Sequence, residues 1–301
     1  MTGKIIELGG RRLSLSNLEK VLYPSCGFTK VHVQEYYRRM APFILPYLQD
    51  RALTLKRYPE GVDKPFFFEK RCPSHRPTWV QTAGIQRASG EQMTVCLVND
   101  LETLLWVANL AALELHVPLA RAASPETPDA MVFDLDPGEP SNIIGCARVA
   151  LILQELLSRM GLVSRVKSSG QKGLHVLVPL NYQEATFEDT KIFSRTVAMI
   201  LEKNYPDLVT AKMAKEARKG KVFINWSQND SSLTMICVYS LRAREKPYVS
   251  FPLDWGELKR LAGAGDPEKL HILQAEAVRR AEEAGDLFQE VLVKKQRLPH
   301  L

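Results

Sequence analysis

Apolar and polar positions alternate along residues 131–136, MVFDLD, and a period of two predicts a β-strand with two different faces. The odd-numbered positions are apolar, so Asp134 and Asp136 are predicted to project together from the opposite face. A similar strand is predicted at residues 221–226, KVFINW, where Asn225 shares a face with an aromatic residue. Each strand therefore places polar side chains on one face of an apolar run.

Helical spacing of apolar residues predicts several helices. Residues 15–50 are expected to be mostly helical, with Ser16 or Asn17 as the N-cap. Further helices are predicted over residues 101–117 after the capping Asp100, over 141–160 after the capping Ser141, over about 183–204, and in the tail from residue 254.

Short strand patterns between these helices predict the fold class. Strands are expected on both sides of the turn PEGVDKP within residues 51–72, and again at residues 92–99. LVSRVKSS and LHVLVPL are predicted to flank the turn GQKG, and KVFINW is predicted to pair with TMICVYSLRAR as a hairpin. This order indicates an α/β protein with mixed rather than all-parallel sheets. The polar, proline-rich segment 123–129 predicts a boundary between units at about 1–125 and 126–301.

Composition and charge favour an anionic partner. The 301 residues are 45% hydrophobic, with a formal net charge of +6 and a pI near 9.0, which suits one large or two small globular domains. Lysine and arginine are concentrated, with six against three acids in residues 51–72 and five against one in residues 211–224. Such clusters neutralise phosphates and make binding dependent on salt.

Three consecutive phenylalanines, 66–68, interrupt the first basic cluster. A strand cannot turn all three toward one core, so at least one is predicted to serve another role. Stacking on a nucleic-acid base is such a role, and it contributes about 1–3 kcal/mol per base. The alternative is a half-buried strand with ordinary aromatic residues.

The cysteine pattern and the N-terminus predict a cytoplasmic protein without a membrane partner. The five cysteines are widely spaced and include no C-x-x-C pair, which is typical of a reduced, intracellular protein. Cys72 and His75 have a zinc-like spacing, but no second pair completes a tetrahedral site. The N-terminus lacks the apolar core of a signal peptide, and no apolar stretch reaches the roughly 18 residues that cross a bilayer.

The paired acids suggest a metal site. Strand geometry separates the Cα atoms of Asp134 and Asp136 by about 7 Å, and two neighbouring carboxylates are unfavourable unless a cation neutralises them. Carboxylate oxygens suit Mg²⁺ or Mn²⁺. An acid at position 225 would complete a cluster of the kind that holds two metals for nucleotidyl transfer. The alternative is that both acids face solvent, or that Asp136 only begins the turn in DPGE.

The turn in KSSGQKGLHVLVPL, residues 167–180, is a candidate phosphate site. Ser169, Lys172 and the glycines offer a hydroxyl, a cation and backbone N–H groups in a compact nest, and His175 follows on the strand. The alternative is an ordinary hairpin with a surface lysine.

These motifs together resemble a known family. VFDLDPGE, SSGQKGLHVLVPL, and GKVFINWSQN followed by VYSLRAR are similar to the polymerase domain of bacterial ligase D, which belongs to the archaeo-eukaryotic primase superfamily and serves in nonhomologous end joining. The resemblance runs in order from about residue 12 to residue 295. It implies one primase-polymerase domain over residues 1–301, built of two interlocking α/β units of which the second resembles an RNA-recognition-type sheet.

The resemblance also implies an activity and site residues. It implies a polymerase that prefers ribonucleotides, uses Mn²⁺ or Mg²⁺ in a two-metal site, and acts at gaps or ends that bear a 5′-phosphate. The implied partners are DNA, nucleoside triphosphates, a ligase and Ku, with a dimer on synapsis of DNA ends, in the nucleoid-associated cytoplasm. The residues at matching positions are Asp134, Asp136 and position 225 for metal; Ser169, Lys172 and His175 for the triphosphate; Gln228, Arg244 and His116 for the nucleotide; Lys20 and Lys30 for the 5′-phosphate; Phe67 and Phe68 for template stacking; and Lys56, Arg57 and Arg218 for DNA or the active-site loop.

Asn225 departs from this pattern, because the family has its third metal aspartate there. An amide keeps the shape of a carboxylate but loses its charge, so we expect a protein that binds DNA ends and nucleotide but extends poorly. A deliberate replacement or a natural divergence accounts for the asparagine, and the intact remaining motifs favour the former. A non-catalytic module that bridges DNA ends and a two-metal phosphoesterase are the alternative functions.

Overall fold

A computed structural model describes residues 3–86 and 90–299. The chain divides into two compact units, and neither is continuous in sequence. The first unit comprises Met1–Ala123, Thr234–Val249 and Leu273–Gly285, and the second comprises Ser124–Leu233, Ser250–Ile272 and Asp286–Leu301. The first division lies at the start of the predicted boundary segment, whereas two later segments return to the first unit.

Strands and helices mix along the whole chain. The strands are β1 Gly3–Leu8, β2 Arg11–Ser16, β3 Val21–Tyr23, β4 Phe28–Thr29, β5 Thr54–Arg57, β6 Phe67–Glu69, β7 Thr82–Gln86, β8 Gln92–Cys96, β9 Ala112–Val117, β10 Ala130–Pro137, β11 Arg165–Ser168, β12 Leu174–Pro179, β13 Val209–Thr210, β14 Val222–Asn225, β15 Met235–Ile236, β16 Leu241–Ala243, β17 Pro247–Val249 and β18 Pro252–Leu253. The helices are α1 Lys30–Leu48, α2 Leu101–Asn109, α3 Ile143–Arg159, α4 Phe187–Asn204, α5 Trp255–Ala264, α6 Gln274–Ala284 and α7 Glu290–Val293.

The sheet of the second unit runs in the order β13, β14, β10, β12, β11, β18. Strand β10 is antiparallel to both of its neighbours, whereas β13 and β14 are parallel. Met131, Phe133 and Leu135 on β10 are fully buried in a core that includes residues of α3, α4 and α5. The predicted alternation of β10 is confirmed, and its acidic side chains project from the face opposite this core.

The larger sheet of the first unit runs in the order β15, β9, β5, β6, with antiparallel neighbours throughout. The strand pair predicted around PEGVDKP is confirmed as β5 and β6. The strand predicted at residues 92–99 is confirmed as β8, which pairs with β7.

The helix predicted from residue 15 begins only at Lys30, so the prediction is wrong at its start. Residues 11–16 form β2 instead. Asn17 and Gly27 adopt φ angles of 53° and 65°, which a right-handed helix does not accommodate. Thr29 is the N-cap of α1, and its backbone N–H donates to His32 Nδ1 at 3.0 Å.

The helix predicted over residues 101–117 is correct only in its first half. Asp100 caps α2 as expected, because its carboxylate accepts the Thr103 N–H at 2.8 Å. Ala111 then adopts a φ of 59°, and the remaining residues form β9. Pairing with β5 and β15 outweighs the helical pattern of these residues.

Two further helices agree with the sequence pattern. Helix α3 is present, although Asn142 rather than Ser141 caps it by accepting the Ile144 N–H at 2.9 Å. Helix α4 lies within the predicted range. Across residues 3–86 and 90–299, no helix combines the length and apolar character that crossing a bilayer requires.

Of the two predicted strand pairs after residue 160, one is confirmed and one is wrong. Strands β11 and β12 pair antiparallel across the glycine-rich turn, as predicted. KVFINW and TMICVYSLRAR do not form a hairpin, since β14 pairs with β10 and β13 whereas β15 pairs with β9. Their apolar patterns suit a sheet, but the patterns do not specify the partner strand.

The cysteine prediction is wrong for one pair. Cys72 and Cys96 form a disulfide with a Cα–Cα distance of 4.9 Å, so Cys72 is not a free zinc ligand beside His75. Their separation of 24 residues gave no indication of this contact, which the fold creates. Cys26 is an exposed thiol, and Cys146 and Cys237 are buried thiols.

Candidate active site

Asp134, Asp136 and Asn225, which we call the acidic face, lie on adjacent strands of the second unit. The register pairs Asp134 with Asn225 across β10 and β14. The Asn225 amide Nδ2 donates to Asp134 Oδ2 at 3.1 Å, and Asn225 Oδ1 accepts a hydrogen bond from Ser227 Oγ at 2.7 Å. These two contacts orient the amide so that its nitrogen, and not its oxygen, faces the aspartate.

A buried chain of polar side chains supports Asp134 from the other side. His175 lies opposite it on β12, with Nε2 at 3.3 Å from Asp134 Oδ1. Lys167, only 1% exposed, donates to His175 Nδ1 at 2.9 Å and to Ser250 Oγ at 2.7 Å. Because an ammonium group only donates, Nδ1 must accept and the imidazole proton lies on Nε2, toward Asp134.

The two carboxyl groups of the acidic face differ in their pKa. Burial raises the pKa of Asp134, but contact with His175 and the hydrogen bond from Asn225 outweigh burial and lower it. Burial and the neighbouring Asp134 raise the pKa of Asp136 to about 6, against a smaller lowering by Arg218. The pair therefore carries repulsion that a bound cation would relieve.

Arg218 lies close to this face. Its guanidinium stacks on Phe223 at 3.8 Å from the ring centroid, and Phe223 is the register partner of Asp136. Its Nη2 donates to the Met213 carbonyl oxygen at 2.6 Å. The backbone of Arg218 packs directly against Gly138, because a Cβ at Gly138 would lie only 1.9 Å from the Arg218 carbonyl oxygen.

The glycine-rich turn is held in a compact loop by its own serine. Ser169 Oγ accepts the N–H groups of Gln171 and Gly173 at 3.2 Å each. Gly173 packs directly on β10, since a Cβ there would lie 2.0 Å from the Leu135 carbonyl oxygen. The Lys172 side chain is 77% exposed, with its ammonium 3.5 Å from Glu139.

A second group of ionisable side chains lies in the first unit, and we call Glu114, Lys56, His116 and Arg242 the Glu114 cluster. Glu114 is fully buried, and its carboxylate contacts the three other members. Lys56 is also a neighbour of exposed aromatic rings, with Nζ 4.0 Å from the centroid of Phe66.

Three consecutive phenylalanines are exposed, Phe66 just before β6 and Phe67 and Phe68 within it. Their exposed fractions are 48%, 44% and 56%. The expectation that at least one does not pack in the core is confirmed. Arg57 lies 5.0 Å from the Phe67 ring centroid, and Lys56 lies 5.7 Å from that of Phe68. Cations and open aromatic faces therefore alternate on this surface.

Lys30, unlike Lys20, is not a solvated surface lysine. Lys30 is 5% exposed, and its ammonium donates to the Ser16 carbonyl oxygen at 2.8 Å. Burial and the nearby charges of Lys20 and Arg57 lower its pKa to about 8. Lys20 forms an ion pair with the exposed Glu60 at 2.8 Å.

Comparison with known proteins decides the family. The sequence model described as "LigD, primase-polymerase domain" matches residues 29–288. The chain belongs to the LigD primase-polymerase domain family. It is 40% identical over 279 residues to the multifunctional non-homologous end joining protein LigD of Mycolicibacterium smegmatis. The matched region covers 92% of this chain and 36% of that protein. It is 33% identical over 248 residues to the bifunctional LigD of Bacillus subtilis, covering 82% and 40%.

A solved LigD structure confirms the fold class as well. The polymerase domain of Mycobacterium tuberculosis ligase D, solved in complex with DNA, is 38% identical with a TM-score of 0.87, covering 95% of this chain and 99% of that one. The predicted resemblance and the primase-type α/β class are thereby confirmed. The chain spans between 36% and 40% of the length of the two LigD relatives above.

The residues predicted from the LigD motifs fall in both units. The second unit brings together Asp134, Asp136, Asn225, Ser169, His175 and Arg218 along β10, β12, β14 and their connecting loops. Gln228 lies half-buried in the short turn after β14. In the first unit, Lys56 and His116 share a cluster, whereas Arg244 stacks on Tyr248 at 4.7 Å from the ring centroid.

Sequence reasoning missed three members of these clusters. Lys167 begins the quoted KSSGQKG motif, and its register opposite His175 would have been found by pairing β11 with β12. Arg242 lies within the quoted VYSLRAR motif, two residues before Arg244. Glu114 lies two residues before His116 in an apolar strand. An acid in an apolar strand indicates a buried charge that needs cationic partners.

Proposed function

We propose that this chain is a template-directed nucleotidyltransferase, a polymerase that acts at DNA double-strand breaks in nonhomologous end joining. The observation that carries the proposal is the pair of partly buried carboxylates on β10, flanked by His175 and the glycine-rich turn. Membership of the LigD family supports it. We propose that residues 1–301 act as one primase-polymerase domain.

The acidic face fits divalent cations, and Asp134, Asp136 and position 225 would hold Mn²⁺ or Mg²⁺. The fit rests on the oxygen donors and on the raised pKa of Asp136, which reflects two like charges that share one site. When bound, such ions would supply positive charge to the triphosphate and to the primer 3′-hydroxyl, whose oxygen attacks the α-phosphorus as pyrophosphate leaves. The protein's own contribution is to hold the reacting groups in line.

The incoming triphosphate would be held by Ser169, Lys172 and His175. The exposed Lys172 is able to reach a ligand in solvent, and His175 carries its proton on Nε2, which suits an anionic acceptor. Gln228, Arg244 and His116 would contact the rest of the nucleotide. We propose ribonucleotides as the preferred substrates, with a hydrogen bond to the 2′-hydroxyl as the cause.

DNA would bind through the cationic and aromatic residues. The buried Lys30, with Lys20 and Arg57 near, makes a positive site suited to a 5′-phosphate at a gap or an end. Phe67 and Phe68 would stack on template bases, and Lys56 would neutralise backbone phosphates nearby. Arg218 would help to shape the active site. A ligase and Ku are proposed partners, with a dimer when two ends are joined, in a nucleoid-associated protein.

Asn225 is expected to impair the reaction. Among residues 3–86 and 90–299, no three acidic, histidine or cysteine side chains converge as a metal-ligand set. The Asn225 amide nitrogen also occupies one oxygen of Asp134, so ligation through its own oxygen would require the amide to rotate and lose that hydrogen bond. The metal that activates the 3′-hydroxyl is expected to suffer most.

Primer extension tests the proposal directly. The chain and its Asn225→Asp variant are compared on a gapped, 5′-phosphorylated DNA with Mn²⁺ and ribonucleotides. We expect extension by the aspartate variant and at most weak extension by the chain with asparagine. Equal, robust extension by both would show that the site tolerates an amide, and no extension by either, with DNA still bound, would refute the polymerase.

A non-catalytic end-binding module is the second candidate, and the hydrogen bond between Asn225 and Asp134 favours it. This candidate predicts that both the chain with Asn225 and its Asn225→Asp variant bind DNA but do not extend a primer. A two-metal phosphoesterase would instead shorten labelled DNA with Mn²⁺ in the absence of nucleotides.

A further inference from the structure

We propose that Glu114 is a positioning residue that fixes the tautomer and orientation of His116 and holds Arg242 beside it for nucleotide binding, while its contact with Lys56 holds that lysine beside the DNA-binding phenylalanines. The inference rests on the proposed function, because His116 is a nucleotide contact only there. Glu114 itself is fully buried, so it acts through its neighbours and not by touching the substrate.

The strand pattern places Glu114 where these neighbours converge. Along β9, Glu114 and His116 lie two residues apart and share a face. The register with β5 sets Lys56 directly opposite Glu114. Arg242 arrives from β16, more than a hundred residues later in the chain. An acid in the middle of ALELHV therefore meets cations from two other strands.

The contacts engage both carboxylate oxygens. Oε2 lies 2.9 Å from His116 Nε2 and 3.0 Å from Arg242 Nη1. Oε1 lies 3.6 Å from Lys56 Nζ, accepts the Ala243 N–H at 3.1 Å, and accepts the Tyr58 hydroxyl at 3.4 Å. A buried carboxylate is very unfavourable without such partners, and this one is surrounded by them.

The charge balance of the cluster favours an anionic ligand. Burial raises the pKa of Glu114, but the His116 hydrogen bond and the charges of Arg242 and Lys56 lower it to about 2, so the carboxylate is ionised. One negative charge faces the positive charges of Arg242 and Lys56, which leaves an excess of one positive charge, although burial lowers the pKa of Lys56. That excess lies beside the exposed ring of Phe66.

The geometry also fixes which nitrogen of His116 a ligand meets. An ionised carboxylate only accepts, so His116 Nε2 must donate to it, and in the neutral ring Nδ1 is left as an acceptor. Burial lowers the pKa of His116, which favours the neutral ring. An acceptor nitrogen suits a hydroxyl or N–H group of a nucleotide and does not suit a phosphate oxygen.

Nuclear magnetic resonance of ¹⁵N-labelled histidine tests the tautomer without a mutation. In the unmodified chain we expect the His116 signal of a neutral ring protonated at Nε2. A ring protonated at Nδ1 would overturn the proposal. This measurement does not depend on catalysis, so it stands whether or not the chain extends a primer.

Glu114→Gln tests the effect on binding, because it keeps the size of the side chain and removes its charge. Titration calorimetry with Mn²⁺ and a non-hydrolysable nucleoside triphosphate measures affinity on the chain as it exists. We expect the affinity of Glu114→Gln to fall by about tenfold or more, since a charge-assisted contact to His116 and Arg242 is lost. Glu114→Asp keeps the carboxylate, and we expect it to recover part of the loss.

Glu102→Gln is the matched control, because Glu102 also belongs to the first unit, is 13% exposed and lies 3.8 Å from the Arg11 guanidinium. We expect it to bind as the unmodified chain does. Thermal unfolding checks that each variant folds, and the His116 tautomer measured in the unmodified chain carries the test if Glu114→Gln does not fold. Affinity unchanged in the folded Glu114 variants would refute the positioning role, whereas no nucleotide binding by the unmodified chain would refute the proposed nucleotide site itself.

Discussion

The acidic face of the second unit and the Glu114 cluster of the first unit are both built from carboxylates and cations, but their imbalances are opposite. On the acidic face, two carboxylates share one site, and the pKa of Asp136 rises to about 6. In the Glu114 cluster, one carboxylate faces the cations of Arg242 and Lys56, and the pKa of the carboxylate falls to about 2. Under the proposed function, the first imbalance suits a divalent cation and the second suits an anionic nucleotide.

Burial makes this difference informative. An exposed ion pair is screened by water and contributes little, whereas a partly buried imbalance persists until a ligand removes it. Asp134, Asp136 and Glu114 are all shielded by the strands that carry them. The comparison therefore predicts that removing a carboxylate from the acidic face changes ligand binding far more than folding, whereas removing the Glu114 charge also lowers stability because Arg242 and Lys56 lose their buried partner.

Removal of Asp136 is expected to give the largest effect. In the Asn225→Asp background, Asp136→Asn should lower the extension rate by about a thousandfold or more, because one carboxylate fewer remains for two metals. The free energy of unfolding should not fall, since the change relieves repulsion from Asp134. Asp207→Asn, at an exposed position of the same unit, is the control and should extend normally. Equal rates in the two variants would contradict the metal-ligand assignment.

The glycine-rich turn offers a test of how tightly the turn packs against β10, the strand that carries Asp134 and Asp136. Gly173→Ala should destabilise the protein by about 1–3 kcal/mol, because its Cβ would lie 2.0 Å from the Leu135 carbonyl oxygen on β10. Gly263→Ala is the matched control, since no atom lies within 4 Å of its Cβ position in helix α5. It should stabilise by up to about 1 kcal/mol. Denaturant unfolding measures both, and equal effects would show that the turn moves away freely.

The sequence was sufficient for features that depend on local pattern. The alternation in β10 correctly predicted that Asp134 and Asp136 share a face, and Asp100 was correctly identified as a cap. Prediction from the sequence was wrong where a single backbone angle ends an element, as at Ala111. Helical and strand patterns overlap in short apolar runs, so the pattern did not show where the helix ends.

Contacts between distant parts of the chain were out of reach. Glu114 and the Ala243 N–H that it accepts are 129 residues apart, and Asn225 lies 91 residues from Asp134. Strand alternation placed each side chain on a face, but only the sheet order determines which faces adjoin. The Asp134 and Asn225 pair was anticipated from the LigD motifs, whereas Glu114 was given no role, although it precedes His116 by two residues in an apolar strand.

Lys167 tests whether a buried cation also supports the acidic face through His175. Lys167→Met keeps the length of the side chain but removes the donor to His175 Nδ1. Nucleotide affinity should fall by about tenfold, because Lys167 then no longer fixes the His175 ring with its proton on Nε2, the nitrogen at the acidic face. Lys191→Met, which removes an ion pair with Asp230 in the same unit, should leave affinity within about twofold. Calorimetry with a non-hydrolysable nucleotide compares the two, and the same loss in both would indicate a general charge effect.

The smallest effect is expected for the exposed ion pair between Glu139 and Lys172 at the glycine-rich turn. Glu139 and Lys172 lie 3.5 Å apart with side chains 87% and 77% exposed, so their pair is screened by water. Glu139→Gln should change the free energy of unfolding by less than about 0.5 kcal/mol. It should leave nucleotide affinity unchanged or slightly raised, because the carboxylate no longer competes with phosphate for the ammonium. A clear loss of affinity in calorimetry would mean that Glu139 orients Lys172, and that exposed as well as buried charge pairs shape the phosphate site.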